Sequence, residues 1–381
     1  MTNRIREQAR SHKGTVVCTE IIIMTMIKWF LLAALSAALA VPFTRPVFAG
    51  EFADVLDTPA LPSELAARST LTGLTHAGDR LVAVGQRGHI LYSDDAGQHW
   101  QQAQVPVSSD LVAVNFPTSQ QGWAVGHDGV VLHSSDAGQT WTRQMDGRQV
   151  GPILLEYYQH QLASQPDDAE LQQRVSDAQR MVEEGADKPF LDVWFENDQV
   201  GYIVGAFNLI LRTDDGGRHW TPLLERTDNP SALNFYALRP VGDDLFIVGE
   251  QGLVLKLDRA SGRFNAMPTP YNGSFFGITG KPGAALVFGL RGNAFRSTDS
   301  GVTWNKIELG LPLSITASSV TADGRIVLVS QAGHVLVSSD DGASFHLQPT
   351  TTMAPVAAAQ VANGSSLVLA GTRGLRQLPL E

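Results

Sequence analysis

Short apolar runs of four to six residues recur along the chain, and each is followed by a Gly-x-x-Gly turn and a second apolar run. An uninterrupted apolar run bounded by turn residues is typical of a strand covered on both faces, and Gly-x-x-Gly indicates a tight hairpin. The equivalent turn positions recur about every 41 residues, except for one gap about twice as long, at Gly85, Gly126, Gly205, Gly249, Gly289, Ser330 and Gly371. The chain therefore contains seven copies of one β-rich unit.

This period predicts the fold class. A repeat of about 41 residues with about four short strands is typical of a β-propeller blade. We therefore predict an all-β fold, a seven-bladed β-propeller, over residues 50–381. The last unit reaches Leu380 after only three strands. From this we expect residues 52–61 to supply its fourth strand and so close the ring.

The long gap between units 2 and 3 holds an insertion, residues 147–188. Residues 152–184 contain no glycine and place apolar residues at three- and four-residue spacing, which predicts an α-helical hairpin. Pro166-Asp167-Asp168 would begin the second helix and Gly185 would end it. Two interpretations stay open, a lid that packs on the rim of the ring and a partner-docking arm that presents Tyr157 and Tyr158.

A second motif, Ser/Thr-x-Asp-x-Gly-x-x-aromatic, follows the third strand of most units. Its aspartates are Asp95, Asp136, Asp215, Asp299 and Asp340, and its tryptophans are Trp100, Trp141, Trp220 and Trp304, with Phe345 in the last copy. An Asp carboxylate can accept backbone N–H bonds across such a turn, while the aromatic ring packs between blades. Each turn offers one carboxylate, too few for the six to eight oxygens of a calcium site, so we expect no metal.

Near the N-terminus, the chain has an apolar run at residues 29–41 preceded by Lys28. The run is too short to span a bilayer, and the small residues before Gly50 fit signal-peptidase cleavage after Ala49. We therefore interpret residues 1–49 as a leader and signal peptide, with the true start at Met24 or Met26. The mature protein is expected to be exported to the periplasm.

Composition excludes several classes of function. The formal net charge is −10 and the isoelectric point is near 5.4, which disfavours nucleic-acid binding. One cysteine, Cys18, permits neither an internal disulfide nor a cysteine-based metal site. No phosphate loop or histidine cluster is present, so we expect no small-molecule cofactor.

The Asp-containing turns resemble the Asp-box (BNR) repeats of sialidase-like propellers. Together with the Val-Gly-x-x-Gly hairpins, they most closely resemble the photosystem II stability and assembly factor family, over residues 52–380. The resemblance implies an exported, non-enzymatic scaffold that binds a membrane-protein complex or its subunits, and it implies a role in photosynthesis where photosystem II exists. In a non-photosynthetic bacterium, the partner we expect is an envelope transporter.

Propeller topology sorts the remaining candidates by face. The hairpins between second and third strands open on the face that carries the blade-to-blade connections, opposite the Asp boxes. Arg87, Arg291 and Arg373 occupy these hairpins and form a candidate anion-seeking patch in an acidic protein. The alternative is that each pairs with a nearby acid such as Asp128 or Glu250. We predict partner binding at this arginine face, where the candidate partner-binding residues are Arg87, Arg291, Arg373, Asp128 and Glu250.

An Asp-box glycoside hydrolase is the enzyme alternative. Sialidase-like chemistry needs an arginine cluster, a Tyr/Glu pair and an acidic proton donor at the centre of the ring. The three hairpin arginines meet the first requirement, and Asp128 with Glu250 could form a carboxylate pair. The Arg-Ile-Pro signature of sialidase domains is absent from the sequence. We therefore predict that the protein is not an enzyme.

Overall fold

The computed structural model describes residues 53–350, 353–363 and 365–380. Its strands form seven antiparallel sheets arranged as the blades of a propeller, which confirms the predicted fold class. Blades 1–4 contain β1 (Leu71–Ala77), β2 (Arg80–Gly85), β3 (Ile90–Ser93), β4 (Gln101–Gln102); β5 (Leu111–Asn115), β6 (Gly122–Gly126), β7 (Val131–Ser134), β8 (Thr142–Met145); β9 (Phe190–Phe195), β10 (Gly201–Gly205), β11 (Ile210–Thr213), β12 (Thr221–Pro222); and β13 (Phe235–Val241), β14 (Asp244–Gly249), β15 (Val254–Asp258), β16 (Arg263–Ala266).

The remaining three blades follow the same order. They contain β17 (Phe275–Lys281), β18 (Ala284–Gly289), β19 (Ala294–Ser297), β20 (Asn305–Ile307); β21 (Ile315–Val320), β22 (Ile326–Ser330), β23 (Val335–Ser338), β24 (His346–Gln348); and β25 (Val356–Asn363), β26 (Ser366–Gly371), β27 (Gly374–Pro379). The first strand of each blade packs against the first strand of the next, and β25 packs against β1. The ring is therefore closed around a central channel.

The second strand of each blade is its most buried element. In β6 every residue is buried, and so is every residue of β18. Both faces of these strands contact neighbouring blades, which explains the uninterrupted apolar runs of the sequence. Burial on both faces of a repeated strand provides most of the core of this fold.

A glycine ends most of these second strands because the backbone there approaches another chain segment closely. A Cβ on Gly126 would lie 2.1 Å from the carbonyl oxygen of Asp110, the residue before the first strand of the same blade. The next residue, His127, donates its backbone N–H to that same carbonyl at 2.8 Å. Each hairpin is thereby fastened to the start of its own blade, and its tip is held in place.

The insertion forms the predicted helical hairpin, with α1 (Gly147–Ser164) and α2 (Ala169–Glu184). Asp146 caps α1 through a capping box, and Asp168 caps α2. The hairpin buries apolar side chains against blades 2 and 3, namely Val150, Leu154, Tyr158, Leu171 and Ala178. No helix in the described part of the chain is both long enough and apolar enough to cross a membrane.

The predicted closure by residues 52–61 is wrong. The seventh sheet has three strands among the described residues. Leu56 is instead buried with Val105 and Val107, and the N–H of Ala60 donates to the carbonyl of Val105 at 3.0 Å. The segment lies across the seam between blades 1 and 2 because that seam offers an apolar pocket for Leu56.

The N-terminal predictions concern residues outside the described part of the chain. They are the signal peptide, the start at Met24 or Met26, and the cleavage after Ala49, and they stay predictions. Cys18 also lies outside the described residues.

Candidate functional site

The ring has two chemically different faces. The face that carries the hairpins between second and third strands is called the hairpin face, and the opposite one is called the box face. The backbone N–H of Arg87, at a hairpin tip, donates to Asp110 Oδ1 at 2.8 Å in the connection between blades 1 and 2. Ala137, in an Asp box, donates to the carbonyl of Gln120 in the turn between first and second strands. Hairpins and blade connections therefore share one face, as the topology predicted.

The Asp boxes are structural turns. In the first box, Asp95 Oδ1 accepts from the Ser93 hydroxyl at 2.8 Å and from the His99 backbone N–H at 2.8 Å. The same arrangement recurs at Asp136, Asp215, Asp299 and Asp340. Hydrogen bonds from Thr303 and Ser297 lower the pKa of Asp299 from 3.8 to about 2. The box oxygens are occupied within the turn itself.

The aromatic residues of the boxes pack against the preceding blade. Trp304 belongs to a cluster with Phe246 and Val248 of blade 4, and Trp220 packs with Phe195 and Met145. Trp141, Trp220 and Trp304 are buried, whereas Trp100 is half-buried. These residues stabilise the seams between blades.

On the hairpin face, five tips carry a non-glycine residue in the left-handed region. Arg87, Asp128, Phe207, Gln251 and Arg291 have φ between 51° and 56°. This conformation is uncommon for residues with a Cβ, and such residues cluster at functional sites. The repeat therefore displays basic, acidic, aromatic and amide side chains at one fixed position of the tips.

Arg87, Arg291 and Arg373 are exposed, and none forms an ion pair with any residue that the structure describes. Arg291 donates only its backbone N–H, to the Ser314 hydroxyl at 3.2 Å. Blades 7 and 1 are neighbours through β25 and β1. Arg373 and Arg87 thus lie on adjacent blades, with their guanidinium groups open to a ligand.

Asp128 and Glu250 have other partners. Asp128 Oδ2 accepts from the Ser109 hydroxyl at 2.5 Å. Glu250 Oε2 accepts from the backbone N–H of Asn234 at 2.9 Å, and its Oε1 accepts from the Tyr236 hydroxyl at 3.2 Å. Both carboxylates hold the hairpins and connections in place, and they leave the three arginines unneutralised within the described residues.

One arginine of this face was missed by the sequence analysis. Arg68 ends a single helical turn, Ala66–Arg68, and is exposed. A Cβ on Gly374 would lie 2.6 Å from the Cα of Arg68, so Arg68 sits beside the tip that carries Arg373. The sequence feature that could have revealed Arg68 is its position just before β1. In the other blades, the residues just before the first strand belong to a blade-to-blade connection. Arg68 also forms no ion pair among the described residues.

Tyr157 and Tyr158 lie beneath the helical hairpin and not at the tips. Tyr158 is 2% exposed, and its hydroxyl donates to Glu225 Oε2 at 3.1 Å. The Tyr157 hydroxyl donates to Glu225 Oε1 at 2.9 Å. Burial and the nearby Glu225 charge raise the pKa of Tyr157 to about 12. These contacts fasten α1 to blade 3, which supports the lid interpretation, and Tyr158 offers no surface to a partner.

The central channel has a volume of about 320 Å³ and is lined by the first strands of all seven blades. Its wall contains Asp192, which accepts from the backbone N–H groups of Val193 and Leu238 and from Arg239 Nη1 at 2.5 Å. Burial raises the pKa of Asp192. Both oxygens of this carboxylate are occupied within the wall, whereas the Arg239 side chain stays 38% exposed and lines the channel with Tyr236 and Gln360.

The comparisons with known proteins agree with this architecture. A family model for the photosystem II assembly factor Ycf48 matches residues 72–153 and 171–305, more than half of the chain. The chain belongs to the Ycf48 family.

A curated member, the photosystem II assembly lipoprotein Ycf48 of Synechococcus sp. (strain CC9902), is 36% identical over 158 residues, 40% of this chain. That alignment spans 46% of the Synechococcus protein, so the chain matches about half of its length.

Two solved structures share the fold. One is YCF48 bound to D1 peptide, with a TM-score of 0.60, 14% identity, and coverage of 82% of this chain and 93% of that chain. The other is YCF48 from Cyanidioschyzon merolae, with a TM-score of 0.59, 15% identity, and coverage of 84% and 97%. At identities this low, the similarity to these structures establishes the shared fold and nothing further.

Proposed function

We propose that the protein is a non-enzymatic assembly scaffold whose hairpin face binds an acidic segment of a membrane-associated protein complex. The observation that carries the proposal is the set of exposed arginines, Arg87, Arg291 and Arg373, that have no acidic partner among the described residues. An unpaired guanidinium on a rigid tip is suited to bidentate recognition of a carboxylate. Arg68 belongs to the same surface.

The family supports this class of partner. A related structure is bound to a D1 peptide, and the curated relative is named as an assembly lipoprotein. In an organism that contains photosystem II, the partner would be a subunit of that complex. In a non-photosynthetic bacterium, the partner we propose is an envelope transporter, met on the periplasmic side of the membrane after removal of the predicted signal peptide.

The test is capture of a membrane protein from solubilised source membranes by the purified propeller. Replacing Arg87, Arg291 and Arg373 together by alanine should weaken capture about threefold to a hundredfold, because each exposed charged contact contributes about 0.2–1 kcal/mol. The melting temperature should stay at the parent value, since no arginine of this set forms an intramolecular ion pair in the described residues.

The matched control lies on the box face. Asp95→Ala with Asp299→Ala removes the acceptors of two box turns and should lower the melting temperature while capture persists. A folded Asp variant that fails to capture the partner, next to an arginine variant that captures it normally, would show that the faces are assigned the wrong way round.

One pair favours the enzyme alternative. Tyr236 lines the channel and donates to Glu250, which resembles the Tyr/Glu nucleophile pair of a sialidase-like hydrolase. Among the described residues that line the channel, the acid is Asp192, which is unsuited to act as the proton donor because it is buried and its oxygens are occupied. We therefore expect no turnover of fluorogenic sialosides or other glycosides. Turnover that is lost in Tyr236→Phe would establish a hydrolase.

A further inference from the structure

Blade 7 differs from the other six blades at its outer edge. Blades 1–6 each end in a fourth strand of two to four residues, whereas the sheet of blade 7 ends at β27 in the part of the chain that the structure describes. An unpaired strand edge presents a row of backbone donors and acceptors. Such an edge accepts an added strand from another segment, a common mode of peptide recognition.

The register shows which backbone groups of β27 face outward. In blade 1, Val84 pairs with Ile90, and the carbonyl of Ile90 accepts the N–H of Ala103, just after the fourth strand, at 2.9 Å. In blade 7, Ala370 takes the place of Val84 and pairs with Leu375. Leu375, and Gln377 two residues later, therefore direct their backbone groups to the open edge.

The side chains of β27 are also less covered than their counterparts. Ile90 and Leu91 of blade 1 are 0% and 2% exposed. The residues at the same register positions in blade 7, Leu375 and Arg376, are both half-buried. The missing strand leaves this part of the blade open to solvent.

The same gap is visible from blade 1. The buried box tryptophans pack against residues at the end of the preceding blade: Trp220 packs with Met145, and Trp304 packs with Met267. Trp100, the box tryptophan of blade 1, faces blade 7 and packs with Leu375 and Ala370. Trp100 remains half-buried, because no fourth strand of blade 7 covers it in the described chain.

The seam between blades 1 and 2 shows what such a strand would do. Gln104, which follows β4, accepts the backbone N–H of Trp141 at 3.0 Å and donates its own N–H to Gln139 at 3.0 Å. For Trp100 the structure shows no equivalent partner among the described residues. A strand added to blade 7 could therefore bond on two sides, to β27 and to the box turn of blade 1.

The N-terminal segment passes this edge without filling it. The backbone of Ser63 donates to Gln102 Oε1 at 2.8 Å, and Gln102 Nε2 donates to the carbonyl of Leu61 at 3.0 Å. Residues 61–63 are thus held on the fourth strand of blade 1. The turn Ala66–Arg68 then crosses the start of β27. The turn contacts the start of β27, and no described residue makes a backbone hydrogen bond to the outward groups of Leu375 or Gln377.

We propose that an extended segment of a partner protein adds to β27 as the fourth strand of blade 7, with an acidic residue or a carboxyl terminus after the strand. The polarity of the sheet sets the order. β27 runs from the hairpin face to the box face, so an antiparallel strand ends at the hairpin face. There Arg68 and Arg373 are exposed and have no ion pair among the described residues.

This inference rests on the proposed function for the identity of the partner, because both place an acidic segment on the hairpin face. It adds a backbone-mediated contact at a defined edge. The segment should carry a small apolar residue directly after the strand, since Ala103 occupies that position in blade 1 and is buried.

The probe is a fluorescently labelled peptide with the sequence of residues 101–110, QQAQVPVSSD, ending in a free acid. In its own blade this stretch forms β4 and ends at Asp110, which accepts from the tip of Arg87. Docked on β27, its aspartate would meet the tip that carries Arg373. Two control peptides are used, one with lysine in place of the aspartate and an amidated end, and one N-methylated at the alanine.

Binding is followed by anisotropy of the peptide and by tryptophan emission of the full protein. The acidic peptide should bind and shift the emission to shorter wavelength, and Trp100→Phe should remove the shift while anisotropy still reports binding. N-methylation should weaken binding about tenfold, because it removes a backbone donor and blocks close approach. The lysine peptide should also bind more weakly.

Protein variants test the two ends of the site. Gln377→Pro removes the outward N–H and should weaken binding about tenfold, whereas Gln377→Ala keeps it and should weaken binding clearly less. Arg68→Ala with Arg373→Ala should reduce binding of the acidic peptide to that of the lysine peptide. Circular dichroism establishes that each variant is folded.

Equal binding of the N-methylated peptide, or binding insensitive to Gln377→Pro in a folded variant, would overturn the edge inference. So would a concentration-dependent dimer that buries Trp100 without peptide, since a second copy would then be the occupant. The proposed function fails separately: capture of the membrane partner would then survive the loss of Arg87, Arg291 and Arg373 while Gln377→Pro abolishes it.

Discussion

On the box face, the aspartate of each turn accepts its hydrogen bonds from residues of the same turn. Asp340, for example, accepts from Ser338, from the backbone of Ser344 and from the Ser344 hydroxyl. On the hairpin face, a backbone hydrogen bond fastens each hairpin to the start of its blade, but the tip side chains vary, and several arginines have no ion-pair partner in the described chain. The repeated residues stabilise the ring, and the residues that break the repeat are the ones that we propose for binding.

The largest effect that distinguishes the two faces should come from the box tryptophans. Trp141→Ala removes a buried indole from the seam between blades 1 and 2 and should lower the free energy of unfolding by about 3–5 kcal/mol. Trp100→Ala, at the open seam between blades 7 and 1, should cost clearly less. Urea unfolding followed by circular dichroism measures both, and equal losses would contradict an open seam at Trp100.

The regular parts of this fold could be predicted because periodicity constrains them strongly. Each second strand is buried on both faces, and each box turn repeats the same residues, so seven blades and the position of the boxes follow from the spacing. The start of α1 was harder to place. The sequence pattern predicted helix from residue 152, whereas the Asp146 capping box begins the helix at Gly147. A Cβ on Gly151 would lie 2.7 Å from the backbone N of Val182, so glycine permits the close packing of the two helices.

The N-terminal segment could not be predicted, because an irregular segment has no period. Counting strands suggested that residues 52–61 complete blade 7, yet Leu56 is buried at another seam. The wrong path expected for the N-terminal segment also explains why Arg68 was missed. Arg68 lies on the hairpin face because the chain crosses the start of β27 there. The pairing of Tyr236 with Glu250 was also missed, since the two residues are brought together by different strand ends.

The helical hairpin allows a test with a smaller expected effect on stability. It is an insertion and belongs to neither the hairpin tips nor the Asp boxes. Tyr158→Phe removes the buried hydroxyl that donates to Glu225 Oε2 and should lower the free energy of unfolding by about 1–2 kcal/mol. Tyr157 is only half-buried, so Tyr157→Phe should cost less. Chemical denaturation measures the two losses. If both variants were as stable as the parent while partner capture fell, the hairpin would be a docking arm and not a lid.

The smallest effect concerns acid stability, and it isolates the box face. Hydrogen bonds within the boxes lower the pKa of Asp215 and of Asp299 from 3.8 to about 2. The folded state therefore releases these protons more readily than the unfolded state. The resulting stabilisation is complete above about pH 4 and is lost as the pH falls towards 2.

Between pH 5 and 2, the melting temperature should decrease in the parent and decrease less steeply in Asp215→Asn with Asp299→Asn. Glu64→Gln, an exposed acid on the N-terminal segment, is the control and should keep the parent slope. An Asn variant with the parent slope would mean that the boxes do not contribute to the acid transition.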